Sequence, residues 1–215
     1  MLPTVAAGAA LVPVRPRLGL SVLGLAGAIT LFFRDPDRPL VPEPGTVYAA
    51  ADGFIAGVEE PVEEPWMPEG KALRISTFLS LHNVHVNRSP VGGVVVEREE
   101  IRGGFAPALF GSAEDNTRNR LALDTDHGRV VVVQIAGLIA RTIRCWVGIG
   151  DQVRPGQHLG LIHFGSRTDV LLPVGSAEVL VRPGDRVRAG VTALAHYRED
   201  GDAHARVRHA AQPDH

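Results

Sequence analysis

The sequence predicts a mainly β domain, a sandwich or barrel-like one, preceded by an apolar helical segment at the N-terminus. Three observations predict it. From residue 34 onward, short apolar runs alternate with Gly, Pro, Asp and Asn, the punctuation of an all-β fold. One turn-like phrase, Gly-Asp-x-Val-x-x-Gly, occurs twice, at residues 150–156 and 184–190. The first 33 residues, by contrast, carry two charged side chains, Arg15 and Arg17.

Those arginines split the N-terminal stretch into uncharged blocks at residues 1–14 and 18–33. Neither block reaches the roughly 20 residues of a comfortable transmembrane helix, and the stretch lacks the basic opening and small-residue cleavage site of a secretory signal. Residues 1–33 therefore read as a retained membrane anchor. Two forms fit: a hairpin dipping into one leaflet, or a tilted span whose arginines snorkel to the headgroups. A buried core helix is the alternative. Anionic lipid attracts such arginines, which puts the chain at the cytoplasmic side of the cell membrane, peripheral or N-terminally anchored.

Strand-like runs follow at residues 46–50, 54–59, 72–78, 93–97, 120–124, 129–136, 142–147, 159–163, 170–172, 177–181 and 192–195. They make one domain over residues 34–196. The repeated phrase implies two similar hairpins, and it is similar to the phrase found in the flattened β-sandwich of biotinyl and lipoyl carriers. Those carriers attach their cofactor to a hairpin lysine, which neither copy has, so the phrase is read as structural. Residues 197–215, with His204, His209 and His215, read as a polar, disordered tail.

Composition narrows the chemistry. With 215 residues the chain can bury a sizeable core, and its formal net charge of −2 with no basic run argues against nucleic acid as a partner. The single cysteine, Cys145, in an apolar run, reads as a buried structural thiol. Lys71 is the sole lysine and follows the turn Pro68-Glu69-Gly70, where it reads as solvated. Pyridoxal-phosphate chemistry, which needs a lysine to hold the cofactor, is thereby disfavoured.

Four polar elements stand out between the strands. Ala51-Asp52-Gly53 reads alone as a turn. His82 and His85 lie three apart in Leu81-His82-Asn83-Val84-His85, a spacing that shares one face of a helical turn but splits across a strand. A catalytic zinc site normally takes three protein ligands and an open position, and no metal is assigned. Residues 113–120, with Asn116-Thr117-Arg118-Asn119, read alone as a solvated loop, and Phe164-Gly165-Ser166-Arg167 as a turn between two strands. Together an Asp, a His pair and a Ser can supply orienting carboxylate, base and nucleophile.

With Phe32-Phe33-Arg34-Asp35-Pro36-Asp37-Arg38 ahead of them, these elements stand in an order that resembles the short bacterial, pyruvoyl-dependent phosphatidylserine decarboxylase proenzymes, from about residue 32 to residue 173. The resemblance implies self-cleavage between Gly165 and Ser166. Ser166 attacks the Gly165 carbonyl, His85 acts as base and Asp52 orients it. A β chain of residues 1–165 and an α chain of residues 166–215 result, with a pyruvoyl group made from Ser166 as covalent cofactor. By the same resemblance that group forms a Schiff base with phosphatidylserine, His82 protonates the carbon that has lost carbon dioxide, and phosphatidylethanolamine is released.

This chain departs from the common pattern twice. Phe164 and Arg167 flank the Gly-Ser pair where Leu and Thr are frequent, and Thr117 stands where glutamate is usual. Three other readings share the residues: a pyruvoyl decarboxylase of a soluble amino acid, a noncatalytic β-sandwich membrane protein, and a metal hydrolase using His82 and His85. The partners implied are phosphatidylserine, membrane lipid and the two chains of one precursor, with a homo-oligomer left open.

Overall fold

The computed structural model describes residues 12–13, 15–32, 34–104, 115–137, 142–162 and 166–198. Helix α1, Pro16–Phe32, starts with a proline at its first position, where the missing N–H is one the helix would leave unpaired anyway. Its 17 residues span about 25 Å, against a hydrocarbon core of about 30 Å. Among the described residues no helix is long and apolar enough to cross a membrane. A spanning anchor is therefore not seen, because Gly19, Gly24, Gly27, Ser21 and Thr30 dilute the apolar content of α1. The first block of the expected anchor lies outside the described residues up to residue 11.

Fourteen strands follow among the described residues: β1 Thr46–Tyr48, β2 Gly53–Glu63, β3 Lys71–Leu79, β4 Val86–Arg88, β5 Gly93–Ile101, β6 Arg118–Thr125, β7 Gly128–Ile135, β8 Ile143–Cys145, β9 Gln152–Val153, β10 His158–Ile162, β11 Ser166–Pro173, β12 Ala177–Val179, β13 Arg186–Val187 and β14 Ala193–Tyr197. A curled eight-stranded sheet runs β13-β2-β3-β11-β7-β6-β5-β9, and two three-stranded sheets, β1-β14-β12 and β4-β10-β8, complete the domain. The mainly β expectation holds.

Strand alternation gives the large sheet two faces. Leu73 and Ile75 of β3, Val170 and Leu172 of β11, Val130 and Val132 of β7, and Leu121 and Leu123 of β6 share one core with Val47, Leu159 and Leu194 of the small sheets. Each such side chain contributes roughly 1.5–3 kcal/mol on full burial. The opposite face buries Ala72, Ala122, Val131, Val133 and Leu171 under Met67 and the partly buried Trp66, from the connection between β2 and β3. Apolar burial on both faces explains why β7 reads as an unbroken valine run.

The repeated phrase forms edges rather than hairpins. The two residues after Gly-Asp are β9 in one copy and β13 in the other, at opposite ends of the large sheet. Gly150 N donates to Val95 O and Gly184 N to Ile55 O, both at 2.8 Å; Val95 N and Ile55 N donate back to Asp151 O and Asp185 O at 2.9 Å. The copies then meet at Gly156 and Gly190, where a Cβ on Gly190 would stand 3.2 Å from the Gly156 Cα. Between them Tyr48 N donates to Pro90 O and Arg88 N to Ala50 O. The two copies thus make matching contacts at the two ends of the large sheet.

Other expectations change at the level of single residues. Lys71 opens a strand, although it is exposed as expected, and Cys145 is half-buried, its Sγ 3.3 Å from Val147 O. Asn116 and Asn119 are 1% exposed, so residues 116–119 are not a solvated loop. Tyr197 is buried at the end of β14, so the ordered chain runs past residue 196; residues 199–215, with the three tail histidines, lie outside the described residues.

Candidate active site

Ser166 is the first residue of β11, not part of a turn, and its neighbours are the central strands of the large sheet. It stands opposite Leu79, the last residue of β3. Ser166, Thr168, Val170 and Leu172 face the covered side of the sheet, and along that row the surroundings turn from apolar to polar. Ser166 is 0% exposed, and its Oγ has no hydrogen-bond partner among the described residues. Gly165 and Phe164, the other members of the expected cleavage site, lie outside the described residues.

Beneath Ser166 runs a chain of buried amides. Asn119 Nδ2 donates to Gln134 Oε1 at 2.8 Å, Gln134 Nε2 to Asn87 Oδ1 at 2.7 Å, and Asn87 Nδ2 to Thr168 Oγ1 at 3.3 Å. All four residues are at most 1% exposed. A polar floor of this kind costs stability unless its members satisfy one another, which these largely do.

His85 and His82 part company. His85 is 0% exposed in the connection from β3 to β4, and its own carbonyl accepts from Ile162 N at 3.2 Å, which ties it to the strand leading toward residue 165. Its Nδ1 lies 2.9 Å from Asn83 O. A carbonyl only accepts, so Nδ1 carries a proton, and in the neutral form of the ring the lone pair a general base needs sits on Nε2. His82 is exposed beside Leu81, itself 54% exposed, and its carbonyl accepts from Arg34 Nη2 at 2.6 Å. One buried and one exposed imidazole make a poor metal pair, and the described residues hold no group of three His, Cys, Asp or Glu fit for a metal ion.

Asp52 sits at the start of β2, 8% exposed. Its neighbour Gly53 is fixed by space: a Cβ there would fall 1.9 Å from Phe78 O, so the Asp-Gly pair marks a close backbone approach rather than an ordinary turn. Phe54 pairs with Phe78 and Gly53 rests against the Phe78 carbonyl, so Asp52 lies by the end of β3, the strand that leads into the His82–His85 connection. The Asp52 carboxylate accepts a fork from Arg38, with Nη2 to Oδ2 at 2.8 Å, and Ala189 N donates to Oδ1 at 2.8 Å. The hydrogen bond to Asp52 raises the Arg38 pKa above its ordinary value, against the opposing effect of burial.

The four expected residues thus gather at one end of the domain, and the run from Arg34 to Arg38 straps it. Arg34 holds the His82 carbonyl and Arg38 holds Asp52, while Asp35 meets Arg88 Nη2 at 2.8 Å and His158 Nε2 at 3.0 Å. Sequence reasoning took this run only as the start of the domain, and missed Arg38 and Asn83 altogether. Its alternating charges were the available signal for Arg38. Arg167 points to the opposite face of the sheet, where a two-bond ion pair with Asp169 (2.7 Å each) is buried beside a cavity of about 530 Å³ that Arg74, Arg118 and Arg120 also line.

Comparison with known proteins agrees along most of the chain. The family model described as Phosphatidylserine decarboxylase matches residues 25–195. A protein of Symbiobacterium thermophilum named phosphatidylserine decarboxylase proenzyme is 51% identical over 179 residues, covering 82% of each chain. Proteins of the same name from Thermobifida fusca and Azorhizobium caulinodans are 43% and 46% identical, covering 84% and 83% of this chain and 78% of each relative.

Proposed function

Since the chain belongs to the phosphatidylserine decarboxylase family, we propose that it cuts its own Gly165–Ser166 bond and works through a pyruvoyl group left at residue 166. The chain is a phosphatidylserine decarboxylase made as a proenzyme, an enzyme of phospholipid synthesis. The observation that carries the self-cleavage reading is the Ser166 hydroxyl, fully buried and without a hydrogen-bond partner among the described residues. Leaving such a group unpaired costs about 1–3 kcal/mol, a cost that a reacting group can justify.

In maturation the Ser166 Oγ gives its proton to His85 Nε2 and attacks the Gly165 carbonyl carbon, so the amide becomes an ester. Loss of the Ser166 Cα proton and of the Gly165 carboxylate leaves dehydroalanine at 166, which water converts to a pyruvoyl terminus and ammonia. In this reading Asp52, held by Arg38, favours the imidazolium that forms. The products are a β chain of residues 1–165 and an α chain of residues 166–215.

Residue 166 suits a pyruvoyl group, because it is fully buried and Thr168, two residues along the same face of β11, begins a polar amide chain rather than apolar packing. That group supplies the carbonyl that takes up the electrons released as carbon dioxide leaves. In this reading His82, exposed beside the apolar Leu81, meets the headgroup arriving from lipid and returns a proton to the product carbon. Leu18, Leu20, Leu25 and Ile29 are exposed on α1, and arginines flank it. A helix so built lies along the membrane surface, on the cytoplasmic side.

The mass and N-terminus of the small fragment test the reading. A fragment starting at residue 166 with a blocked terminus, and loss of activity with borohydride, are expected. A single full-length band with the Gly165–Ser166 bond intact overturns it.

A further inference from the structure

We propose that Arg38 is a positioning residue for this enzyme: with Asp52 it clamps Ala189, holding the α chain against the β chain around residue 166. The clamp rests on the self-cleavage reading for its two-chain meaning, but its geometry stands on the intact chain. Arg38 Nη1 donates to Ala189 O at 2.8 Å, and Ala189 N donates to Asp52 Oδ1 at 2.8 Å. The pair thus satisfies both backbone groups of one residue that lies 151 and 137 positions away. Arg38 and Asp52 are on the β-chain side of the cleavage point and Ala189 is on the α-chain side.

Both side chains of the pair are nearly closed to water, at 9% and 11% exposure. Removing either partner strands the other's charge in the interior, the costly way to break a buried pair. The guanidinium is a fork that no other side chain reproduces, because it must meet two carboxylate oxygens and a carbonyl at once.

The clamp bears on the reacting residue through backbone. Asp52 precedes Gly53, whose Cα rests against the Phe78 carbonyl, and the strand of Phe78 and Leu79 pairs with Arg167 and Ser166. Next to Ala189, Gly190 N donates to Ala49 O at 2.8 Å, which extends the stitch. Once the 165–166 bond is cut, residue 166 is a chain end. Its frame on the β3 side then leans on Asp52 and Gly53, and these on Arg38.

The test uses the full chain as wild type, Arg38→Met, Arg38→Lys and Asp52→Asn. Hydrogen exchange is read on peptides spanning residues 186–192 and 119–124, and self-cleavage is timed on gels at matched folded fraction. Arg38→Met and Asp52→Asn should lose protection at 186–192 by about a hundredfold while 119–124 is unchanged, and Arg38→Met should cleave about tenfold more slowly. Arg38→Lys, which keeps a cation on Asp52 but not the fork, should recover part of that rate. Unchanged protection at 186–192 in both neutral variants overturns the clamp. Equal cleavage rates for Arg38→Met and Arg38→Lys overturn the positioning role. If wild type does not cleave at all, the maturation reading fails, and the exchange measurement still decides the clamp.

Discussion

Nδ1 of His85 lies 2.9 Å from the carbonyl oxygen of Asn83, two residues back along the chain. The contact sets the tautomer of a fully buried imidazole by backbone alone. Asn83 is held in turn, since its Oδ1 accepts from Ser80 N and its own N–H donates to Ser80 O, both at 2.9 Å.

Loosening that turn should therefore slow maturation without ending it. Asn83→Ala removes one acceptor, worth about 1 kcal/mol, and should lower the self-cleavage rate by about a factor of five to ten. Asn83→Asp keeps the acceptor and should cleave close to the wild-type rate, whereas His85→Ala should not cleave. Timed gels check this. Wild-type kinetics in Asn83→Ala would show that the turn does not hold the base.

The buried amide chain predicts a graded loss of stability. Thr168→Val takes the acceptor from one amide donor and should cost about 1–3 kcal/mol. Gln134→Leu strands Asn119 Nδ2 and Asn87 Oδ1 together and should cost more, roughly 2–4 kcal/mol. Urea unfolding in a Ser166→Ala background, which keeps one intact chain, measures both. A smaller loss for Gln134→Leu than for Thr168→Val would mean the three hydrogen bonds do not act as a series.

Much of this was legible in the sequence, and the misses share a cause. Turn residues and apolar runs marked most of the strands, because each run alternates or, as in β7, is buried on both faces. Asp52, His82, His85 and Ser166 stood out in the sequence only as a set, and all four lie around the end of β3. Pairs distant in sequence were invisible: nothing local links Arg38 to Ala189, or Asn87 to Thr168. Asn116 and Asn119 read as solvated because a polar residue announces water unless a partner is known. The two-residue strands β9 and β13 are too short for any period; the glycines around them do take the positive φ read for turns, but the strands they bound are sheet edges rather than hairpins.

Tyr197 gives a pH prediction. Burial pushes its phenol up to about 12, with Thr125 pulling weakly the other way, and its ring stacks on His127 at 4.4 Å. The neutral phenol is thus favoured by the fold. Its contribution is complete below pH 10, the unfolded value, and is lost as pH rises from 10 to 12, for about 2–3 kcal/mol at most. Stability by urea should fall across that window, and Tyr197→Phe should flatten the fall. With only two tyrosines in the chain, phenolate absorbance assigns the late titration directly. A Tyr197→Phe variant with the same decline would place the effect elsewhere.

Helix α1 predicts a separation of membrane binding from maturation. Leu20 and Leu25 are each 61% exposed, so they contribute little to the fold in water and are available to lipid. Burying each in the acyl boundary is worth roughly 1.5–2 kcal/mol, and arginines at both ends of the helix favour anionic headgroups. Leu20→Asp with Leu25→Asp should reduce flotation with vesicles containing anionic lipid by at least tenfold, and with it activity on phosphatidylserine held in those vesicles. Self-cleavage and activity on detergent-dispersed substrate should stay near wild type, since both leucines are largely exposed to solvent on α1. Undiminished flotation of the double variant would rule out α1 as the membrane-binding element.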